Sequence, residues 1–336
     1  MRGPLALLAA VITLAATPAG AREPLDLDLT RLGAPDPAVW LAIPSALGTP
    51  TPAEADLLAA ESRVRFARLA TDLAMAFTSS LLHPASTTGH SGFHFDMEGS
   101  YTGVKHGVLG TASYTPAGAS AAAYPREYWP TRTLKPTELF APSIHVRKSL
   151  PFSVELGGRF TYLSQSSYFA AQLEGKWALM EGYYVLPDVA VRVAWTKVLG
   201  QRDLHLSATE FDLMTSKRFG VNAVTSVTPY LALRFTSLDA STKVLGFRAD
   251  YPVTGAPTPG TPAEVAASSA AFPNVGSMLY RTTVGVRLTS FAVSMAAEAT
   301  WFDGGKQGKK APGPGDYPEY WTPASLSGAF KFGFEF

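Results

Sequence analysis

Most of the chain alternates apolar and polar residues with a period of two. The clearest case is the segment from Leu326 to Phe336, where four phenylalanines share one face and Lys331, Gly333 and Glu335 share the other. Because successive side chains of a strand point to opposite faces, this segment has one apolar and one polar face. A strand of a membrane barrel requires that pattern, with apolar side chains toward lipid and polar ones toward the lumen.

From Gly92 onward the alternation predicts ten strands. They cover about residues 92–104, 139–148, 152–164, 167–180, 187–199, 204–217, 224–238, 277–290, 291–303 and 323–336. Most are about 10 to 15 residues long, enough to cross a bilayer when tilted. The long connections 105–138, 239–276 and 304–322 all fall at the same end of the predicted barrel. Twelve strands are the alternative, if residues 105–138 or 243–275 contain a hairpin.

The C-terminal pattern resembles the assembly signal of bacterial outer-membrane β-barrels, which ends in phenylalanine after alternating aromatic residues. With the alternation and the loop order, the resemblance covers about residues 92–336. It implies an all-β fold, an antiparallel up-and-down transmembrane barrel, in the outer membrane of a Gram-negative cell. It also implies contact with outer-membrane lipid and recognition of Phe336 by the barrel-assembly machinery. Outward aromatic residues near the strand ends predict the two membrane interfaces; they include Tyr101, Tyr162, Trp195, Tyr280, Trp301 and Phe336.

The amino-terminal residues predict a signal peptide over 1–21. Arg2 precedes the apolar run Leu5 to Ala16, and Ala19-Gly20-Ala21 offers a small-residue cleavage site. The apolar run is shorter than the roughly 20 residues of a spanning helix. Removing Arg2 leaves 27 of the 28 basic residues against 27 acidic ones, so no basic excess favours nucleic acid. The absence of cysteine excludes disulfides and thiolate metal sites.

Residues 22–91 are expected to form a periplasmic lead-in with one amphipathic helix at about 52–79. Thr51 and Glu54 form the pattern of a capping box, with Pro52 at the first helical position. We expect this helix to cap the barrel; the alternatives are a plug inside the lumen and a helix on the membrane surface. The barrel itself is expected to occupy residues 92–336.

The inward phase of the strands predicts a charged lumen. It contains Asp96, Glu98, His145, Arg147, Glu155, Arg159, Glu174, Lys176, Arg192, Glu210, Asp212, Arg234, Arg281, Arg287, Glu298, Lys331 and Glu335. A ten-stranded barrel is narrow, so these charges either line a selective channel or pair with one another in a core that does not conduct. Strand six fits poorly, because Leu204 and Leu206 alternate in one phase and Phe211 and Leu213 in the other. Either a β-bulge reconciles them or the predicted strand is misplaced.

No residue pattern indicates an enzyme, a cofactor or a metal centre. His90 and His94 share a face, but the further ligands that a metal needs are supplied only loosely by Asp96 or Glu98. The sequence therefore leaves two functions. One is a small-solute pore or transporter with a narrow charged lumen. The other is a non-conducting surface barrel that binds a partner through its long outer loops, of which 105–138 is rich in aromatic residues.

Overall fold

The structure is a computed structural model of the full chain. It describes residues 23–42, 51–78, 80–89, 91–104, 129–131, 136–183, 185–247, 269–309 and 316–336. The predicted signal peptide and most of the two longest loops lie outside the described residues. Within the described ranges, no helix is both long enough and apolar enough to cross a membrane.

Ten antiparallel strands form one closed ring. They are β1 (Phe93–Gly103), β2 (Glu138–Leu150), β3 (Val154–Tyr162), β4 (Phe169–Met180), β5 (Asp188–Leu199), β6 (Leu204–Ser216), β7 (Thr225–Thr242), β8 (Val275–Ser290), β9 (Val293–Phe302) and β10 (Ser325–Glu335). Each strand pairs with its neighbours in the chain, and β10 pairs with β1 to close the ring, with His94 opposite Glu335. The ten predicted strands are confirmed, and the twelve-strand alternative is wrong.

Short hairpins stand outside the ring at the end where the longer connections lie. Leu245–Gly246 pairs with Ser269–Ala270, and Gly305–Gln307 pairs with Tyr320–Thr322. We call this end of the barrel the loop end. The opposite end, where short connections join β2 to β3 and β8 to β9, is the turn end; the chain terminus Phe336 lies there, paired with Phe93.

The outer face of the ring is apolar. Along β10, for example, Phe330, Phe332 and Phe334 are exposed while Lys331 between them is buried. A closed barrel satisfies its backbone hydrogen bonds internally, so this outer face is suited to the hydrocarbon of a bilayer. The strand alternation read from the sequence is thus the alternation between lipid and lumen.

The closed ring leads to a first prediction. In SDS, the unboiled protein is expected to migrate differently from the boiled protein, because a ring without edges resists the detergent until heat opens it. Electrophoresis of a detergent extract with and without boiling measures this. Identical mobility in both lanes would contradict a closed barrel.

Strand six needs no bulge. The pairing of β6 runs in continuous register with β5 and with β7, so the predicted bulge is wrong. Leu204 and Leu206 point into the barrel, whereas Phe211 and Leu213 point to lipid. The inner face of β6 is therefore apolar near the loop end and charged farther down. A register shift occurs instead between β4 and β5, at Ala178 and Met180.

Among the residues described ahead of the barrel there are three helices. They are a 3-10 helix at Leu29–Leu32, α1 at Pro37–Ala42 and α2 at Pro52–Thr78. The predicted capping box begins α2: the Thr51 amide donates to Glu54 Oε2 at 2.7 Å, and the Glu54 amide donates to Thr51 Oγ1 at 3.4 Å. A helix of 27 residues is about 40 Å long, which exceeds the hydrocarbon thickness of a bilayer.

Helix α2 lies inside the barrel. Every residue from Val64 to Thr78 is buried, and the helix contacts β1, β2, β5, β6, β7 and β8. The expected position of a helix that caps the mouth is therefore wrong, and the alternative of a plug inside the lumen is the one that the structure confirms. The sequence predicts one buried apolar face for this helix. In the structure all of its sides are buried from Val64 to Thr78, because the barrel wall surrounds it.

Candidate functional site: the filled lumen

The loop-end half of the lumen is an apolar core built around α2. Phe66 of the helix stacks on Phe272 with ring centroids 4.6 Å apart, and Leu69 and Leu73 are fully buried. The strands supply matching inward side chains, which form one cluster with the helix: Leu139, Leu163, Leu204, Leu206, Leu238 and Val275. Burial of this many apolar groups holds the helix against the inner face of the wall by the hydrophobic effect.

The buried polar side chains of α2 bond mostly within the helix or to nearby elements. Thr71 and Thr78 donate to the carbonyl oxygens of Ala67 and Ala74, four residues back. The indole nitrogen of Trp129 donates to Asp72 Oδ2 at 3.3 Å. Such local bonds let a helix with polar residues lie in a dry site without large desolvation costs.

Residues 23–42 cover the loop end of the lumen. The Leu25 amide donates to the Gln165 carbonyl at 2.9 Å, in the connection between β3 and β4, and the Leu27 amide donates to the Tyr168 hydroxyl at 2.7 Å. At the same end, the hydroxyl of Tyr317 donates to the Pro273 carbonyl at 2.6 Å. Burial raises the pKa of the Tyr317 phenol.

Below the helix the lumen changes from apolar to ionic. The eight basic residues of its wall each have a carboxylate oxygen within 4.0 Å. They are Arg147, Arg159, Lys176, Arg192, Arg234, Arg281, Arg287 and Lys331. In a narrow buried space an unpaired charge is costly, so pairing of this extent is what allows the charges to remain in the wall.

Glu210 pairs with three arginines of this wall. Its oxygens lie 2.6 Å from Arg281, 2.7 Å from Arg234 and 3.4 Å from Arg192. Asp212, two residues farther along β6, adds contacts to Arg192 at 2.6 Å and Arg234 at 3.3 Å. Two carboxylates of β6 thus hold three guanidinium groups on the neighbouring strands β5, β7 and β8.

A second cluster surrounds His145. Its Nδ1 lies 3.0 Å from Glu98 and its Nε2 lies 2.9 Å from Glu174, while Arg159 contacts Glu98 at 2.8 Å. The nearby His83 is buried, and neither of its ring nitrogens has a hydrogen-bond partner; Glu174 is 3.8 Å away. A third cluster joins Asp96 to Arg147 and Lys331, at 3.0 and 3.1 Å.

The charged wall binds the backbone of the chain itself. The Thr78 carbonyl at the end of α2 accepts from Arg234 and Arg281, both at 2.9 Å. The Ser80 carbonyl accepts from Arg159 at 2.8 Å. Cations at a helix C-terminus also favour the negative end of its dipole. These side chains therefore satisfy the carbonyl groups that are left without partners where the helix ends.

Glu298 holds the next residues of the same segment. Its two oxygens accept from the amides of Leu81 and Leu82, at 2.6 and 2.7 Å, and from the hydroxyl of Tyr230 at 2.7 Å. Buried backbone amides outside regular structure need such partners. The charged side chains that line the barrel consequently bind the amino-terminal segment as well as one another.

Two glycines make room for this network. A Cβ at Gly157 would lie 2.8 Å from side-chain atoms of both Arg147 and Glu174. A Cβ at Gly333 would lie 2.0 Å from an Asp96 carboxylate oxygen. Both positions face the lumen, so only glycine leaves space for the long paired side chains there.

One group of side chains has the spacing of possible metal ligands: Asp96, Glu98 and His145. One ligand atom from each lies within 4.8 Å of the others, and all three side chains are buried. Both carboxylates, however, are already paired with basic residues. The expectation that the barrel holds no metal stays a prediction.

The structure places all seventeen predicted lumen residues on the inner face: Asp96, Glu98, His145, Arg147, Glu155, Arg159, Glu174, Lys176, Arg192, Glu210, Asp212, Arg234, Arg281, Arg287, Glu298, Lys331 and Glu335. Whether any of them contacts a solute stays a prediction. The side chains expected at the membrane interfaces lie on the outside of the ring: Tyr101, Tyr162, Trp195, Tyr280, Trp301 and Phe336.

Sequence reasoning missed the residues that bind the amino-terminal segment. Tyr230, which contacts Glu298, falls in the inward phase of β7 and would have been found by its parity. The inward leucines of β6 were a second signal, because apolar side chains inside a polar barrel need something apolar to contact.

Comparison with protein-family models found no match, and comparison with curated proteins found none either. Solved structures do match in part. The translocator domain of autotransporter NalP from Neisseria meningitidis has a TM-score of 0.34 and 11% identity, over 84% of this chain and 98% of that chain. Neisserial surface protein A has a TM-score of 0.27 and 12% identity, over 72% of this chain and 95% of that one.

The attachment invasion locus protein Ail of Yersinia pestis has a TM-score of 0.25 and 10% identity, over 74% of this chain and 100% of that chain. Similarities this low carry no information on function. The fold is established by the molecule itself, through its closed antiparallel ring, its apolar outer face and its charged inner face. The protein is a closed, ten-stranded, antiparallel β-barrel of the transmembrane type.

Proposed function

We propose that the protein is a non-conducting surface barrel that presents its loop end to a partner outside the cell. The observation that carries this proposal is the position of α2: its buried part, from Val64 to Thr78, occupies the lumen where a channel would run. Below it, the wall charges are paired with one another and with residues 78–86. Over the stretch that α2 fills, a solute would find no continuous path, and the charges below it are held in pairs.

Conductance in a planar bilayer tests the proposal. The intact protein is expected to give no stepwise current, whereas a variant lacking residues 52–78 is expected to conduct, because the paired wall then faces water. The deletion variant should keep its mobility shift on boiling, which shows that the ring has formed. Leu69→Asp with Leu73→Asp offers a milder route to the same result, since both leucines are fully buried against the wall.

Stepwise current from the intact protein would overturn this proposal and favour the second candidate, a small-solute pore. One observation keeps that candidate in view. The inner wall of the turn-end half carries many buried charges, among them Arg147, Glu155 and Lys176, as a polar channel would require. A pore would need α2 to leave the lumen, so current should then rise in variants that weaken its contacts.

The partner is expected to contact the long loops, 105–138 and 239–276. Removing residues 252–271 should abolish binding while the mobility shift on boiling is kept. Removing a turn-end connection of the same barrel, such as 220–223, is the matched control and should leave binding unchanged. The proposal assigns no chemical reaction to the lumen, because its ionic groups are held in pairs.

A further inference from the structure

The amino-terminal segment lies at the loop end, although the first strand begins at the turn end. Residues 23–28 contact three different loop-end connections. Asp26 Oδ1 accepts from the amide and hydroxyl of Ser167, both at 2.8 Å, and the Asp28 amide donates to the Pro130 carbonyl at 2.9 Å. The Gln201 side chain, between β5 and β6, donates to the Leu27 carbonyl at 3.4 Å.

The chain then descends through the whole lumen. Helix α2 begins outside the loop end, where Thr51 and Pro52 are exposed, and it ends at Thr78 among the arginines of the wall. Beyond it, the Ala85 amide donates to Ser216 Oγ at 3.1 Å, and the Thr88 hydroxyl contacts Ser149 Oγ at 2.7 Å. Ser216 and Ser149 are at the turn-end termini of their strands.

The first strand starts where this path arrives. The Phe93 amide donates to the Phe336 carbonyl at 2.8 Å, at the turn end. The chain therefore passes once through the ring before it forms any strand of it. In outer-membrane barrels the short turns face the periplasm and the longer loops face the exterior.

We infer that the barrel displays its own amino-terminal segment on the cell surface, with residues 23–42 forming a lid over the loop end. A sequence placed ahead of Glu23 would be displayed with it. This inference deepens the proposed function, because it adds the lid to the surface that a partner meets.

The sequence of the lid suits a boundary between a dry lumen and water. Leu25, Leu27 and Leu29 are buried in the loop-end core, and the aspartates between them are only partly buried. Over residues 23–42 there are four carboxylates (Glu23, Asp26, Asp28 and Asp36) against one basic residue, Arg31. The displayed face is thus acidic, and we expect a macromolecular partner of this face to carry a basic patch.

The chain contains no cysteine, so single cysteines report position without background. Ala38 in the lid and Ala223 in the connection between β6 and β7 are both exposed alanines, at opposite ends of the barrel. Arg202, exposed between β5 and β6, marks the loop end independently of the lid. A membrane-impermeant maleimide applied to intact cells should label Ala38→Cys and Arg202→Cys as fully as it does after permeabilisation. Ala223→Cys should be labelled only after permeabilisation.

Two results would overturn the inference. Labelling of Arg202→Cys without Ala38→Cys on intact cells would show that the lid is not at the outer end. Labelling of Ala223→Cys alone would show that the barrel has the opposite orientation. Neither depends on conductance: a silent bilayer with unlabelled Ala38→Cys would keep the proposed function without the display, and a conducting barrel with labelled Ala38→Cys would keep the display without the proposed function.

Discussion

Glu210→Ala is expected to lower the free energy of unfolding by about 3–5 kcal/mol, the cost of breaking a buried ion pair on one side. The variant would take from Arg281 the carboxylate with which it pairs, whereas Arg234 would keep Asp212 and Arg192 would keep Asp212 and Glu174. The side chain of Glu210 has no exposed surface, so water does not replace the lost contacts in the folded state. Unfolding by urea in lipid vesicles, followed by tryptophan fluorescence, measures the change.

Glu138→Ala is the matched control for Glu210→Ala. Glu138 begins β2 and is exposed, so its removal should change the free energy of unfolding by less than about 0.5 kcal/mol. Glu210→Gln keeps the shape and one acceptor but removes the charge, and should fall between the two. A loss below about 1 kcal/mol for Glu210→Ala would mean that the wall charges rearrange or admit water, contrary to a tightly paired lumen.

Glu298→Ala is expected to free the segment below α2 and to produce intermittent current in a planar bilayer. The change removes three hydrogen bonds to a buried carboxylate, from the Leu81 and Leu82 amides and the Tyr230 hydroxyl. Hydrogen bonds to charged groups contribute about 1.5–3 kcal/mol each, so the segment loses a large part of its attachment. The two amides would also be left without partners in a dry environment.

Tyr230→Phe serves as the control for Glu298→Ala. It removes one of the three bonds and leaves both backbone amides satisfied, so the lumen should stay closed and the bilayer silent. Equal current from both variants would show that Glu298 does not act through the amino-terminal segment. Silence from both would show that α2 is held by its apolar contacts alone.

The barrel could be predicted from the sequence because its outer face follows one rule along every strand. Residues such as Phe330 and Phe332 alternate with Lys331 since lipid lies on one side and the interior on the other. The turn-end connections are short, so strand order follows chain order and the ring is determined once the strands are found. The capping box at Thr51 and Glu54 likewise fixed the start of α2 from local bonds alone.

The position of α2 could not be predicted in the same way. Its sequence mixes Phe66 and Leu69 with Arg65, Arg68 and Asp72, which is typical of a helix with one side in water. Those polar groups are instead satisfied inside the barrel, as when Asp72 accepts from Trp129 of a distant loop. Contacts between segments so far apart in the chain leave no local pattern.

The candidate site was predicted in part, because parity along a strand identifies inward residues but not their partners. Arg234 and Glu298 were recognised as inward side chains, and their nearest expected neighbours were water or opposite charges. The structure adds the carbonyl of Thr78 and the amides of Leu81 and Leu82. Strand parity identifies only the side chains of the wall, so it cannot predict a backbone segment that lies among them.

The passage of the chain through its own ring also constrains how the barrel assembles and unfolds. The helix passes through the closed ring. It cannot leave sideways while β1 is paired with β10 over nine residue pairs. It has to withdraw along the barrel axis or wait until that seam opens. Closure of the seam should therefore be a late event in assembly, with the helix already in place. Once the seam is closed, the helix can leave only along the barrel axis, so its contacts with the wall determine how slowly it withdraws.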